Sequence, residues 1–180
     1  MTNVREAVQL QEPVPIRRIP AAIARRFFQI CATAVAEAVA EADLTPLEFA
    51  VMAYLNPVDG EPDLDQRSLA VRLGVDRNTT SLLVRHLETK GLLQQRTNDA
   101  DRRARLIRLT GQGEELFARL EPTAVAGQQQ ILAGLPPAQR ELLLDLLLQV
   151  IGENQHLARP GAGRRKRNAN GHRNTHARSA

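Results

Sequence analysis

The chain has 180 residues, 43% hydrophobic and 24% charged, the proportions of one globular domain with a substantial core. No run of about 18 apolar residues is present to span a bilayer, and the opening MTNVREAVQL lacks the basic flank, apolar stretch and cleavage site of a secretory leader, so a cytoplasmic protein with no membrane partner is expected. The net charge of +4 divides unevenly: residues 1–158 hold 17 basic against 20 acidic side chains, whereas 159–180 hold 7 basic and no acidic ones.

Residues 1–18 contain Pro13 and Pro15, show no clear period and read as a flexible arm. From Ile19 to about Ala42, apolar residues recur at 23, 27, 30, 31, 34, 35, 38 and 39, the spacing of an alanine-rich amphipathic helix. Thr45, Pro46 and Glu48 have the order of a capping box with proline at the first helical position, predicting a helix from Pro46 to about Leu55. Asn56 to Pro62 is dense in turn formers and ends it. Asp65 caps a short helix through Leu73 that turns Leu69, Ala70 and Leu73 inward, and Gly74 supplies a left-handed exit. Asp76 caps the next helix, Arg77 to Lys90, with Thr80, Leu83, Val84 and Leu87 on its inner face and Gly91 as its stop. Two short helices across a glycine-containing turn make a helix-turn-helix.

Leu92 to Arg96 and Ala104 to Leu109 flank the charged stretch Thr97 to Arg103, predicting a β-hairpin with a charged tip. Thr110 caps a long helix whose interior Pro122 and Gly127 predict a kink near residues 118–122. Pro136 and Pro137 restart the chain into a final helix from Ala138 to about Leu157, apolar on almost every side through Leu142, Leu143, Leu144, Leu146, Leu147, Leu148, Val150 and Ile151. One small domain does not easily bury such a helix, so a second copy of the chain is its expected cover. Residues 158–180, with Arg164 to Arg167 and no large apolar residue, read as a disordered basic tail.

The one cysteine, Cys31, closes no intrachain disulfide, and the histidines at 86, 156, 172 and 176 do not cluster at metal-ligand spacing, so neither a metal nor a cofactor is expected. Cys31 falls on the apolar stripe of the first helix, the setting of an inert rather than a reactive thiol. GxSxG, GxxxxGK[ST], HExxH and a GxGxxG after a strand are all missing, and no enzyme is expected. Residues 64–110 carry 10 basic and 5 acidic side chains, while the remainder of 1–158 is net acidic. This makes the segment a candidate polyanion surface. Of the 24 basic residues 22 are arginine, suited to bidentate contacts with phosphate and guanine. Outside the inner face of the 77–90 helix stand Arg77, Asn78, Thr79, Ser81, Leu82, Arg85 and His86, with no acid before Glu88. Short polar residues and arginines suit the major groove, where Arg reads guanine and Asn reads adenine. Only five aromatics exist and none lies in the basic segment, which argues against single-strand stacking.

The ordered set Leu44-Thr45-Pro46 with Phe49, Leu69 through Thr79, Leu83-Val84 with Leu87-Glu88 and Gly91-Leu92, Asp101-Arg102-Arg103, and Leu109-Thr110 with Gly113 resembles the MarR family of dimeric winged-helix transcription regulators, from about residue 20 to 157. The resemblance implies a mainly α fold with a small β-hairpin wing. It divides the chain into a winged helix-turn-helix DNA-binding domain at 45–110 and a helical dimerisation region at 19–44 and 111–157. The implied function is that of a homodimer on a pseudo-palindromic double-stranded DNA site, a repressor released by a small-molecule effector. In the wing the resemblance gives Arg103 a minor-groove role, with Asp101 orienting it and Arg96, Arg102 and Arg105 as phosphate contacts. Ile23, Phe27, Leu143, Leu146, Leu147 and Val150 are the expected dimer contacts, and Arg26, Ile30, Phe49 and Met52 the expected effector-pocket residues, beside Arg25, Cys31 and Ala53. Two departures stand out: Leu82 stands where many relatives place a polar or basic residue, so that one base contact is either lost or replaced by contact with a thymine methyl, and the acidic, proline-bearing loop 56–63 reads as an insertion. A non-specific architectural DNA-binding protein, dominated by the tail through counterion release, is the alternative.

Overall fold

Four side-chain caps lay out the middle of the chain in the computed structural model, which describes residues 15–57, 63–97 and 105–157. After a short 3₁₀ turn at Ile16–Arg18, helix α1 spans Pro20–Val39, with proline in its first turn, where the missing N–H costs nothing. A further 3₁₀ turn, Ala40–Ala42, ends on Asp43 with φ 52°, the left-handed conformation that reverses the chain. Helix α2 spans Pro46–Leu55 behind the predicted capping box: Thr45 Oγ1 accepts from Glu48 N at 3.2 Å, and the Glu48 carboxylate accepts from Thr45 N at 2.7 Å.

Asp65 accepts from the backbone of Arg67 and Ser68 to open α3, Gln66–Leu73, and Gly74 at φ 67° closes it. Asp76 does the same for α4, Arg77–Thr89, through Asn78 N and Thr79 N. Strand β2, Leu93–Thr97, pairs antiparallel with β3, Arg105–Leu109, setting Leu93 opposite Leu109 and Arg96 opposite Leu106. The hairpin is joined by a strand that the sequence did not announce. β1, Leu64–Asp65, pairs with the other side of β3, giving the order β1-β3-β2. Two residues are too short to show alternation, and Asp65 had a sufficient role as a helix cap.

Helix α5 spans Gly111–Ile131 and α6 spans Pro137–Glu153, one residue earlier than the pattern suggested, followed by a 3₁₀ turn at Gln155–Leu157. Pro122 lies inside α5 without ending it. The buried residues on either side of the proline, Phe117, Leu120 and Ala124, hold both halves of α5 in the core, where it packs against α1 and α2. The Arg140 guanidinium donates to the carbonyls of Leu135 and Ala133 and so ties the start of α6 to the end of α5.

One core runs through these elements, with Val39, Val51, Met52, Leu55, Leu69, Leu87 and Ile107 sealed from solvent and the rings of Phe49 and Phe117 stacked at 5.2 Å. Helix α6 contributes no buried residue to it. Residues 1–14 of the expected arm, the tail from 158, the loop 58–62 and the hairpin tip 98–104 lie outside the described residues.

The junction of α5 with the turn before β2 is a backbone-to-backbone contact. Thr110 donates its N–H to Leu92 O at 3.0 Å and its hydroxyl to Gly91 O at 2.6 Å, and a Cβ on Gly113 would sit 2.2 Å from Leu92 O. Alanine ordinarily favours a helix over glycine by about 1 kcal/mol. Here the clash is with a fixed carbonyl, and overpacking costs of about 1–3 kcal/mol prevail. Gly113→Ala is therefore expected to lower the urea midpoint, against the helix-propensity trend.

Candidate nucleic-acid interface

Helix α4 is held from behind. Thr80, Val84 and Leu87 are buried and Leu83 half-buried, so the opposite face is fixed in orientation by the core. On that face Arg77, Asn78, Leu82, Arg85 and His86 are exposed, Leu82 by 63%. Thr79 and Ser81 are half-buried and their hydroxyls are engaged. Thr79 donates to Asp76 Oδ2 at 2.9 Å as part of the cap, while Ser81 donates to Arg77 O and accepts from Gln66 Nε2 of α3. The exposed row therefore centres on Arg77, Asn78, Leu82 and Arg85.

His86 faces differently from its neighbours in role. Its Nδ1–H donates to Oε1 of Glu48, a carboxylate only 1% exposed, whose other oxygen accepts from the backbone N–H of Thr45 at 2.7 Å and its hydroxyl at 2.9 Å. Burial pushes the Glu48 carboxyl up, but the bonds from Thr45 and His86 outweigh it and leave it below its ordinary value. Lys90 Nζ meets Asp43 at both its carbonyl and its carboxylate, the latter at 3.1 Å. The end of α4 is thus tied both to the first turn of α2 and to the α1–α2 connection. Sequence reasoning assigned only half of Glu48, the half that serves the capping box.

In the wing, Asp63 accepts two bidentate pairs, from Arg96 (3.2 and 2.9 Å) and from Arg108 (3.1 and 2.9 Å). Arg96, and then Arg108 beside it, hold the Asp63 carboxyl below the usual aspartate range. Arg96, expected as a phosphate contact, is therefore shared with an acid, and Arg108 joins it in a cluster of two guanidiniums and one carboxylate. Arg105 is exposed at the start of β3. Asp101, Arg102 and Arg103 lie outside the described residues.

The expected dimer contacts are accessible: Ile23 is 52% exposed, Leu146 and Val150 are exposed, Leu147 is exposed, and Phe27 and Leu143 are half-buried. The four expected pocket residues do not come together. Arg26 and Ile30 share a shallow groove along α1 with Ile23 and Phe27, and Met52 is sealed in the core. Phe49 alone of the four lines the larger cavity, about 800 Å³, between α1, α2 and the Leu73–Val75 turn. Cys31 lines it too, and burial pushes its thiol up, away from the reactive thiolate. Among the described residues, no helix is long and apolar enough to cross a membrane and no cluster of His, Cys, Asp or Glu is fit to hold a metal.

A helix-turn-helix flanked by a β-hairpin wing and carried on long terminal helices is a winged-helix module of the transcription-regulator type. The family model described as MarR family matches residues 42–104. A protein of Thauera aromatica named for transcriptional regulation of the hcr operon is 36% identical over 93 residues, 52% of this chain and 56% of that protein, so the chain spans little more than half of that relative's length. The PcaV transcriptional regulator of Streptomyces coelicolor, solved with its natural ligand, is 30% identical, with 78% of this chain and 97% of that one covered at a TM-score of 0.66. BpsR of Bordetella bronchiseptica, whose DNA binding is regulated by 6-hydroxynicotinic acid, shares the fold at 24% identity and a TM-score of 0.68, over 77% of this chain and 97% of its own. The chain belongs to the MarR family of transcriptional regulators.

Because Glu48 titrates below its ordinary value of 4.5, it contributes stability above that pH and loses it as the pH falls through the folded value. Glu48→Gln keeps an acceptor for Thr45 but lacks the charge that holds His86. It is expected to cost about 1–2 kcal/mol at pH 7. Chemical denaturation from pH 7 to 3 should show the gap to the parent protein closing as the pH falls below 4.5.

Proposed function

We propose that the chain is a sequence-specific double-stranded DNA-binding regulator that works as a homodimer on a pseudo-palindromic site and represses by occupying it. The observation that carries this reading is the exposed row Arg77, Asn78, Leu82 and Arg85 on a helix whose opposite face is locked into the core. Arginine pairs with guanine, asparagine with adenine, and leucine packs on a thymine methyl. In this reading residues 45–110 form the DNA-binding domain, 19–44 and 111–157 the dimerisation region, and 158–180 a basic tail that adds affinity by counterion release. Thr79 and Ser81 serve phosphate or base from the edge of the helix. Arg103, oriented by Asp101, enters the minor groove, and Arg102 and Arg105 contact phosphate. Arg96 acts there only so far as Asp63 releases it.

The dimer reading rests on α6, where Leu142, Leu144, Leu146, Leu147, Leu148, Val150 and Ile151 are 37–67% exposed. A second copy offers the same apolar seam, including Ile23 and Phe27 of α1. A small molecule in the cavity beside the helix-turn-helix is the proposed signal for release, as BpsR, whose DNA binding is regulated by 6-hydroxynicotinic acid, and PcaV, solved with its natural ligand, suggest. A cytoplasmic regulator without catalytic activity completes the proposal. The 7 basic and no acidic residues of 159–180 favour one other reading, a tail-driven architectural binder.

Selection of bound duplexes from a random library at about 150 mM salt, where purely electrostatic binding is weak, separates the two readings. The expected result is an inverted repeat with half-sites centred about 34 Å apart, kept by a chain ending at Leu157. No enrichment, with affinity lost on removal of the tail, would establish the architectural reading instead. Arg103→Ala should weaken the selected site by about 1–3 kcal/mol, and unchanged affinity would remove the wing role. Replacing Leu146 and Leu147 by Glu forfeits about 1.5–3 kcal/mol of burial at each position, so sedimentation should report the monomer mass.

A further inference from the structure

His86 occupies a position on α4 that the exposed row does not explain. It stands one residue after Arg85 and four after Leu82, to the side of the face centred on Asn78, Leu82 and Arg85. Its side chain is 56% exposed, yet the ring is not free to turn, because Nδ1 is bonded to the carboxylate of Glu48. That carboxylate also accepts from the N–H and the hydroxyl of Thr45, so three donors converge on it. Burial raises the Glu48 carboxyl, but the bonds from Thr45 and His86 outweigh it and leave the group ionised at neutral pH.

An ionised carboxylate only accepts hydrogen bonds, and this settles which ring nitrogen of His86 carries the proton. In the neutral ring the proton is on Nδ1, and Nε2 is left as an acceptor, to which a phosphodiester has nothing to donate. Protonation turns Nε2 into a donor while Nδ1 keeps its bond to Glu48. With Nδ1 turned to a residue that is 1% exposed, the accessible part of the ring is the edge that carries Nε2. A helix with its side chains is about 10–12 Å across and the major groove about 12 Å wide, so a residue on the flank of a seated helix meets the sugar-phosphate wall rather than the bases.

The charged groups of the elements packed against α4 are Glu48 of α2, Arg67 and Arg72 of α3, and Arg96 of β2, which Asp63 holds. On α4 itself Arg85 and Glu88 are the nearest in sequence, and Gln95 donates to Glu88. Among the described residues, Glu48 is the acid bonded to the ring.

We propose that His86 is a phosphate contact that works only as the imidazolium, held in register by Glu48, so that DNA binding takes up a proton at this residue. The proposal rests on the DNA-binding reading above and adds a proton to it as a co-ligand.

The test uses the full chain, the selected duplex and a scrambled duplex of the same length. Calorimetry at pH 7 in two buffers of different ionisation enthalpy counts the protons taken up on binding, and His86→Gln is expected to take up fewer than the parent. Between about pH 6 and about pH 8 the parent should lose about tenfold more affinity than His86→Gln, the worth of one charge-assisted hydrogen bond. His86→Arg, a permanent cation, should keep at pH 8 the affinity that the parent has at pH 6. At the lower pH, His86→Gln should weaken both duplexes alike and reduce the salt slope by about 0.9 per protomer. Glu48→Gln, which removes the charge that favours the imidazolium, should move the pH profile to lower pH.

Equal proton uptake in parent and His86→Gln, an equal pH response in the two, or loss of affinity at pH 8 in His86→Arg would overturn the proposal. Weakening confined to the selected duplex would make His86 a base reader and overturn the phosphate assignment. An unmoved profile in Glu48→Gln would overturn the positioning by Glu48. Absence of duplex binding by the parent at any pH would overturn the regulator reading and this proposal with it, whereas binding without uptake at His86 would remove this proposal alone.

Discussion

A single carboxylate, that of Glu48, connects the two halves of the molecule. One oxygen closes the capping box of α2 with Thr45 and the other receives His86 from the last turns of α4. A buried charge is tolerated only when it is well hydrogen-bonded, and here one partner, Thr45, is local to α2 while the other, His86, must be brought in by α4. The start of α2, which borders the cavity, and the far end of α4 are thereby set by one group. Asp43 and Lys90 repeat the connection at the surface, where an exposed pair contributes little energy but restrains the same helix end. The exposed face of α4 is therefore as rigid as the buried network behind it, and its side chains project from a fixed frame.

Four of the six helices were legible because each begins with a residue whose side chain caps it locally. Thr45, Asp65, Asp76 and Thr110 all cap as their positions imply, and the inward set Thr80, Leu83, Val84 and Leu87 follows from period alone. What stayed hidden depends on contacts between residues distant in the chain. Asp63 gathers Arg96 and Arg108 from two strands, and nothing in the charge pattern of either strand foretells a shared acid 33 and 45 residues earlier. The same holds for His86 and Glu48, 38 residues apart. Strand β1 escaped notice since a two-residue pairing carries no period. Met52 and Phe49 belong to one helical turn, yet one seals the core and the other borders the cavity. Periodicity identifies the buried side of α2 but does not distinguish a filled interior from a lined one.

The wing shows how charge is apportioned as well as placed. Its strands are arginine-rich, but Asp63 neutralises part of that charge and fixes two guanidiniums against the sheet. In the proposed DNA-bound state, arginines held in this way would lose less conformational freedom on meeting a phosphate, while the acid would limit how strongly they attract one. The balance favours a wing that positions over one that merely adheres.

Helix α6 has a bearing on the protein's life before it reaches any promoter. A newly made protomer would display a continuous apolar seam with no buried residue along the helix, the kind of surface that associates indiscriminately. If the seam is closed by a second copy, the lifetime of the vulnerable species is set by how soon two nascent chains meet. Neighbouring ribosomes on one message would then be a better source of partners than the dilute pool of finished chains. The abundance of active regulator would scale with the square of synthesis at low expression, and its thermal midpoint would rise with concentration.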